Sequence, residues 1–328
     1  MIKDKIEIFL ITYNRASKLE KTFKQLFAAN SPIKDFDITI LDNNSTDNTV
    51  EVIKKYQKNF KNLKHLRQKR NIGANANIAR AYEEATKDYV WILADDDNYD
   101  FSSWSEVEQA IKRKEEIIMV SKYALPETYN LINIITQASF TPSVILSTKL
   151  LDDTTLRNMY DNIYTMYVQL VPIVMALNEN KQIYVLNGKA IILNGNDYGV
   201  QCGLFCHSVN YHRGADADRM WYRSATMTQI IGIINALEPL KNGSKEIFMD
   251  RNINSAIHFF KPFSKDFMHF ADIWVNFNRK QKIKFLKKLI IIKLHIPTII
   301  TFKKNSKGIY VTLFNVLKFK IIPFRKKK

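Results

Sequence analysis

Apolar residues in the first hundred positions come in short blocks separated by longer amphipathic ones. IEIFLIT at 6–12, DITIL at 37–41, LKHLR at 63–67 and YVWILA at 89–94 are short and apolar or β-branched, which predicts strands. Between them LEKTFKQLFAAN, VEVIKKYQKNF and ANIARAYEEATK space their apolar positions three or four apart, which predicts helices. Ser17 and Glu20 have capping-box spacing at the first helix, and Ser103 with Glu106 have it ahead of a fourth, WSEVEQAIKRKEE. Strand and helix alternating at this pace predict an α/β fold, a mostly parallel sheet with helices on both faces. Such sheets collect ligands at the carboxyl ends of their strands. Each of the four strands runs there into a polar cluster: TYNR, DNNSTD, KRNIG and ADDDN. Four clusters are therefore expected on one edge.

ADDDN is the most demanding of them. The adjacent carboxylates of Asp95, Asp96 and Asp97 repel one another, so something positive must lie close by. Ordinary loop roles account for parts of the other clusters: Ser45, Thr46 or Asp47 can cap the second helix, and Gly73 can serve a turn. They account poorly for the aspartates, since the following helix carries its own capping signal. Clustered hard oxygen ligands with no Cys or His beside them predict Mg²⁺ or Mn²⁺ rather than zinc.

Charge changes the picture at the other end of the chain. The 328 residues carry a net charge of +17, which by itself suggests nucleic acid. From Arg279 to Lys328, however, there are 16 Lys and Arg and no Asp or Glu, which leaves 33 basic against 32 acidic residues in 1–278. A neutral body argues against a nucleic-acid partner. The tail interleaves Lys with Ile, Leu and Phe, a mixture suited to an anionic membrane surface, so 279–328 is expected to be a basic amphipathic helical region that associates with one. A basic subdomain packed on the body is the plainer alternative. The N-terminus enters a strand pattern at once and no apolar stretch reaches membrane-spanning length, which predicts a cytoplasmic protein, peripheral on the inner face of the membrane. Cys202 and Cys206 are expected to be free thiols.

Taken together, FLITYNRASKLEKTF, ITILDNNSTDNT, RNIGANANIARAYEEA and YVWILADDD resemble the nucleotide-binding half of family 2 glycosyltransferases, whose fold is known as GT-A. The resemblance covers roughly the first 110 residues. It implies a nucleotide-sugar-binding half over 1–110 and an acceptor-binding half with a helical extension over 111–278, followed by the basic region. It implies that Thr12, Tyr13, Asn14, Asp42, Asn71 and Gly73 hold the nucleotide, with Asp95 and Asp96 beside them. It assigns a metal to Asp95 and Asp97, with His207 or His212 as a candidate further ligand. Against the commoner pattern Asp-x-Asp-Asp, the first acid falls on Ala94, so the individual ligand roles stay open.

Inverting enzymes of this type need a carboxylate to take the acceptor hydroxyl's proton. The family pattern, laid on YTMYVQLVPIVMALNEN and the strand KQIYVLNGKAIIL, places Val168 and Gln169 where Glu and Asp would stand. Asp161 and Asp197, which flank that helix and strand, are the leading substitutes, with Asp216 and Asp218 behind them. Trp221 or Tyr222 could stack on an acceptor sugar. The expected function is metal-dependent, inverting transfer from a nucleotide sugar, with UDP as the expected nucleotide, to a glycan or lipid-linked acceptor in surface-polysaccharide synthesis. Two rivals stand beside it. A nucleotidyltransferase would carry a Gly-rich basic loop after its first strand, and TYNRASK has no glycine; a noncatalytic scaffold of the same fold is kept open by Gln169.

Overall fold

The computed structural model describes residues 1–120, 131–163, 167–187, 191–193, 234–237, 245–250, 274–293, 300–305, 308–313 and 317–323. The chain divides into two compact units, Met1–Lys245 and Glu246–Lys328.

In the first unit, β1 (Ile6–Thr12), β2 (Ile38–Asp42), β3 (Leu63–Arg67) and β4 (Tyr89–Ala94) are the four expected strands. They alternate with α1 (Ala16–Leu26), α2 (Thr49–Gln57) and α3 (Ala74–Glu83). After them come the short β5 (Asn98–Tyr99), α4 (Trp104–Lys112), β6 (Ile117–Met119), α5 (Leu131–Ala138), β7 (Val144–Ser147), α6 (Asp153–Asp161), α7 (Leu170–Asn178), β8 (Tyr184–Val185) and β9 (Ile192–Leu193). The seven-stranded sheet has the order β3-β2-β1-β4-β7-β6-β8, and β5 pairs with β9 separately. Pairings among β1 to β4 are all parallel, while β7 runs antiparallel to both β4 and β6. This is the mostly parallel, helix-flanked sheet that the alternation predicts.

Burial follows the pleat. Ile6, Ile8 and Leu10 point to one face, where they join Leu19, Phe23 and Leu26 of α1 and Val107, Ala110 and Ile111 of α4 in one core. α3 packs on β1 and β4 with Ile78, Ala79, Ala81 and Tyr82 buried. Phe27 of the α1 end stacks on Phe60 after α2 at 4.1 Å between ring centroids, and Trp91 donates its indole N–H to Pro142 O at 2.9 Å. Two buried polar side chains tie α3 to the sheet edge: Asn77 Nδ2 donates to Leu41 O at 3.0 Å, and Asn77 Oδ1 accepts from Gln68 Nε2 at 3.0 Å.

Three expectations are corrected. Neither capping box forms: Ser17 lies inside α1, whose N-cap position is Arg15, and Ser103 makes no side-chain cap bond. In the second case Asp100 caps the preceding single turn through Ser102 N, and Glu106 accepts from Asn187 N at 2.7 Å instead. The single strand expected over 181–193 is two dipeptide strands, β8 and β9, in different sheets.

In the second unit the helix expected at the start of the basic region is present as α8 (Arg279–Lys293). Beyond it the helical expectation gives way to an antiparallel three-stranded sheet, β10 (Ile300–Asn305), β11 (Gly308–Leu313) and β12 (Leu317–Pro323). The physical reason is periodicity, for ITFK, IYVT and LKFK repeat every two residues rather than every 3.6. The paired row Phe302–Val311–Phe319 is apolar, and the next, Lys303–Tyr310–Lys320, is polar and basic. Within the same unit Phe285 is buried against Trp274 and Phe277.

Replacing Asn77 by Leu leaves Leu41 O and the Gln68 amide without their partner in a buried setting. The substitution should lower unfolding free energy by about 2–4 kcal/mol in a denaturant titration, as expected for orphaned buried polar groups; an unchanged midpoint would mean that these bonds do not hold α3 to the sheet.

Candidate functional site

Register brings the four polar clusters together. Thr12 pairs with Asp42, Asp42 with Arg67, and Ile11 with Ala94, so the carboxyl ends of β1 to β4 finish in line. The loops that follow are stitched side to side. Asn14, at φ 52°, donates its N–H to Ser45 Oγ at 2.9 Å and accepts from Thr46 N at 2.7 Å. Asp47 serves two helices at once, accepting from Ala16 N at 3.1 Å and from Thr49 N at 3.0 Å, so one carboxylate caps the amino ends of α1 and α2. Asn43 accepts from Ile72 N at 2.9 Å and donates to Asn71 Oδ1 at 2.7 Å, which also accepts from Gly73 N. Gly73 enters α3 at φ 86°, a conformation that side chains strain. Tyr13, 41% exposed, presents its ring at this edge.

Asp42 is wholly buried. Its Oδ1 accepts from Ser45 N at 2.8 Å, and its Oδ2 lies 3.3 Å from His65 Nε2 and 3.7 Å from Arg67 Nε. Burial pushes its carboxyl up, but the hydrogen bonds from His65 and Ser45 outweigh that and hold it below the usual range. It stands ionised and oriented.

The positive charge that the aspartates demand comes from the first helix. Arg15 Nη1 lies 3.0 Å from Asp95 Oδ1 and 2.9 Å from Asp96 Oδ2, and Lys18 Nζ lies 3.2 Å from the same Asp96 oxygen. Further along that face Thr22 Oγ1 donates to Asp95 O at 2.9 Å and Gln25 Nε2 to Asp97 O at 3.1 Å. Arg15, Lys18, Thr22 and Gln25 are spaced three, four and three residues apart, one polar stripe of a helix. That spacing is readable in the sequence, although only the motif around Arg15 stood out there.

The three carboxylates are not equivalent. Asp95 is buried and engaged, with Thr12 Oγ1 donating to it at 2.6 Å beside the Arg15 bond. Burial pushes its carboxyl up to about 6, with Arg15 opposing and Asp96 adding to the shift. Asp96 is part-exposed. Asp97 is buried, and its Oδ2 has no hydrogen-bond partner among the described residues; burial, with Asp96 and Asp95 alongside, holds its carboxyl well above the ordinary range. Among the described residues no three His, Cys, Asp or Glu side chains gather into a ready metal cage. The set nevertheless suits Mg²⁺ or Mn²⁺, which bind through one or two carboxylates and complete their shells with substrate phosphates and water. Asp97 Oδ2 is the orphan atom such an ion would satisfy, with Asp96 next to it.

Gln169 stands at the N-cap of α7, fully enclosed, with Nε2 donating to Ser139 O at 2.6 Å and Oε1 without a partner among the described residues. Asp161 is exposed at the end of α6, on the helix that packs along α3. Just beyond it Ile163 O accepts from Asn75 Nδ2 at 2.6 Å. Asp197, His207, His212, Asp216, Asp218, Trp221, Tyr222 and both cysteines lie outside the described residues.

Comparison with known proteins points the same way. The family model described as glycosyl transferase family 2 matches residues 7–175, just over half of the chain. A GalNAc(5)-diNAcBac-PP-undecaprenol beta-1,3-glucosyltransferase of Campylobacter jejuni is 34% identical over 94 residues, 28% of this chain and 30% of that protein. A cholesterol galactosyltransferase of Borreliella burgdorferi is 26% identical over 121 residues, 37% and 33% of the two chains. The chain thus spans about a third of the length of these relatives. Among solved structures, S. aureus TarS 1-349 in complex with UDP superposes with a TM-score of 0.52 at 17% identity, over 94% of this chain and 96% of that one. At that identity the likeness shows the fold.

Asp97 folds with a pKa above its unfolded value, so its ionisation weakens the metal-free fold above the folded pKa, and the penalty is relieved as pH falls through it. Asp97→Asn should therefore raise metal-free stability by about 1–3 kcal/mol at pH 7.5. The gain should shrink at pH 5. Thermal melts at the two pH values measure it; a variant no more stable than the parent at pH 7.5 would contradict the reading of an uncompensated buried carboxylate.

Proposed function

The chain belongs to glycosyl transferase family 2, and on that basis we propose that it moves a sugar from a UDP-sugar to a hydroxyl of a glycan or lipid-linked saccharide, with inversion, in surface-polysaccharide synthesis. The observation that carries the reading is the register-aligned edge, where the strand ends bring an oriented, buried Asp42 and the acid loop 95–97 to the same side of the sheet, and the ligand space is assigned there. Thr12, Tyr13, Asn14, Asp42, Asn71 and Gly73 are the nucleoside side of that space, and Asp95 to Asp97 the diphosphate side. The UDP complex of TarS supports UDP as the nucleotide. The undecaprenol-linked substrate in the name of the C. jejuni relative supports a lipid-linked acceptor.

In the proposed reaction the acceptor oxygen bonds to the anomeric carbon as the bond from that carbon to the diphosphate oxygen breaks. The hydroxyl proton passes to a carboxylate, and UDP leaves. Asp97 and Asp96 would hold the divalent ion, which when bound would supply charge stabilisation to the departing diphosphate. Asp95 cannot contribute both oxygens, because Thr12 and Arg15 engage them; its work is to brace the loop. Gln169 accepts no proton, so the base is assigned to Asp161 or Asp197. A catalytically impaired scaffold is the second reading, favoured by the enclosed Gln169 amide.

For membrane association, α8 supplies the support. It carries no acidic residue, and Ile283 and Leu286, each 46% exposed, stand among its lysines. Among the described residues no helix is long and apolar enough to cross a membrane. A peripheral place on the cytoplasmic face fits a lipid-linked acceptor.

Two measurements test these proposals. With Mn²⁺ present, the protein should hydrolyse a UDP-sugar slowly without acceptor, and Asp97→Ala should reduce that rate by at least about a hundredfold; full activity of the variant would remove Asp97 from the site, while UDP binding with no turnover in the parent would favour the scaffold. In vesicle sedimentation, Ile283→Asp with Leu286→Asp should weaken binding to phosphatidylglycerol vesicles by about tenfold or more. Equal sedimentation of the double variant would remove α8 from the membrane contact.

A further inference from the structure

Asp96 Oδ2 already serves two cations, Arg15 Nη1 at 2.9 Å and Lys18 Nζ at 3.2 Å, and the same Arg15 nitrogen holds Asp95 at 3.0 Å. Three carboxylates therefore face two resident positive charges before any ligand arrives. We infer that Arg15 and Lys18 are resident counter-ions which compete with the divalent ion for the acid loop and turn to the diphosphate once it binds, so that metal and nucleotide bind strongly only together. The inference rests on the metal role proposed above for Asp96 and Asp97.

Charge dictates the coupling. A divalent ion arriving alone at Asp96 and Asp97 meets a loop whose negative charge is largely offset, with a guanidinium and an ammonium within a few ångströms of it. A diphosphate arriving alone meets an Arg15 and a Lys18 already engaged by Asp95 and Asp96, with Asp97 beside them. When both come, the ion takes over the carboxylates, and the released Arg15 and Lys18 find a new anion in the diphosphate, which a guanidinium can grip through two N–H groups at once. Both side chains are part-exposed, at 33% and 41%. The orphaned Asp97 Oδ2 is the oxygen that neither of them hydrogen-bonds.

A different role would make Arg15 a strut that holds the acid loop in shape. The two roles predict opposite results. The loop backbone is pinned independently by Thr22 on Asp95 O and Gln25 on Asp97 O, so removing the Arg15 side chain leaves those anchors in place. Loss of a strut loosens a metal site and weakens it; loss of a competing counter-ion strengthens it.

The experiment measures Mn²⁺ binding to the full chain by electron paramagnetic resonance, with and without UDP, for the parent, Arg15→Met, Arg15→Lys and Lys18→Met, each checked by thermal melt. In the parent, UDP should tighten Mn²⁺ by a coupling factor in the range of about 5 to 150. Arg15→Met should bind Mn²⁺ alone at least about fivefold more tightly than the parent, with the coupling factor falling toward one. Arg15→Lys should stay near the parent, and Lys18→Met should move in the direction of Arg15→Met by less, which carries the test if Arg15→Met does not fold. Weaker or unchanged Mn²⁺ binding in the Met variants, with the parent's UDP-dependent binding intact, would overturn the counter-ion role and leave the metal site standing. No Mn²⁺ binding by the parent, even with UDP, would overturn both.

Discussion

A carboxylate taken out of water must find its counter-charge inside the fold or raise its pKa until it is neutral. Three buried carboxylates crowd the carboxyl edge of this sheet, and the architecture around them is largely the answer to that constraint. Asp42 is answered in full by Ser45, His65 and Arg67. Asp95 is answered by Thr12 and Arg15. Asp97 is answered by neither, and it is the imbalance between the three that gives the edge its chemistry, since a site that satisfied every oxygen internally would have nothing left to offer a ligand.

The scaffold that keeps this imbalance in place is rigid and mostly apolar. β1 and β4 are buried almost throughout, so the strand ends cannot slip without turning apolar side chains to the wrong face. α1 then presents Arg15, Lys18, Thr22 and Gln25 to the acid loop along one stripe, while the adjacent stripe, Leu19, Phe23 and Leu26, is locked in the core. The same helix thus fixes the backbone of residues 95–97 and supplies their counter-charge. Asp47 links that helix to α2, so a shift in one loop is felt in the next.

Much of this was legible in the residues. β1 and β4 begin and end where their apolar runs do, because a parallel strand buried almost throughout leaves few polar positions to blur its limits, while β3 keeps its expected bounds although it is largely exposed or half-buried. The convergence of the four polar clusters followed from the alternation alone. Ser17 and Ser103 look like local capping residues, whereas in the fold the amino end of α1 is capped by Asp47, thirty residues away in sequence, and Asp100 caps only the single turn before α4. Beyond α8 the charge of the basic region suggests a helical surface segment, but its two-residue period sets strands. Gln169 was placed at the start of a helix, and it is there, enclosed and half satisfied. Why a neutral amide occupies that position has no account in its contacts.

The central claim is that loops from four strands bind one nucleotide through one shared edge. Amide hydrogen exchange of the full chain, with UDP and Mn²⁺ added together and compared with the ligand-free protein, tests it most directly. The account predicts slowed exchange in four separate segments at once, around 12–15, 42–47, 71–74 and 95–97, with the interior of α5 and the strands of the second unit unchanged. Protection confined to one of those segments, or appearing only in the basic C-terminal region, would contradict it.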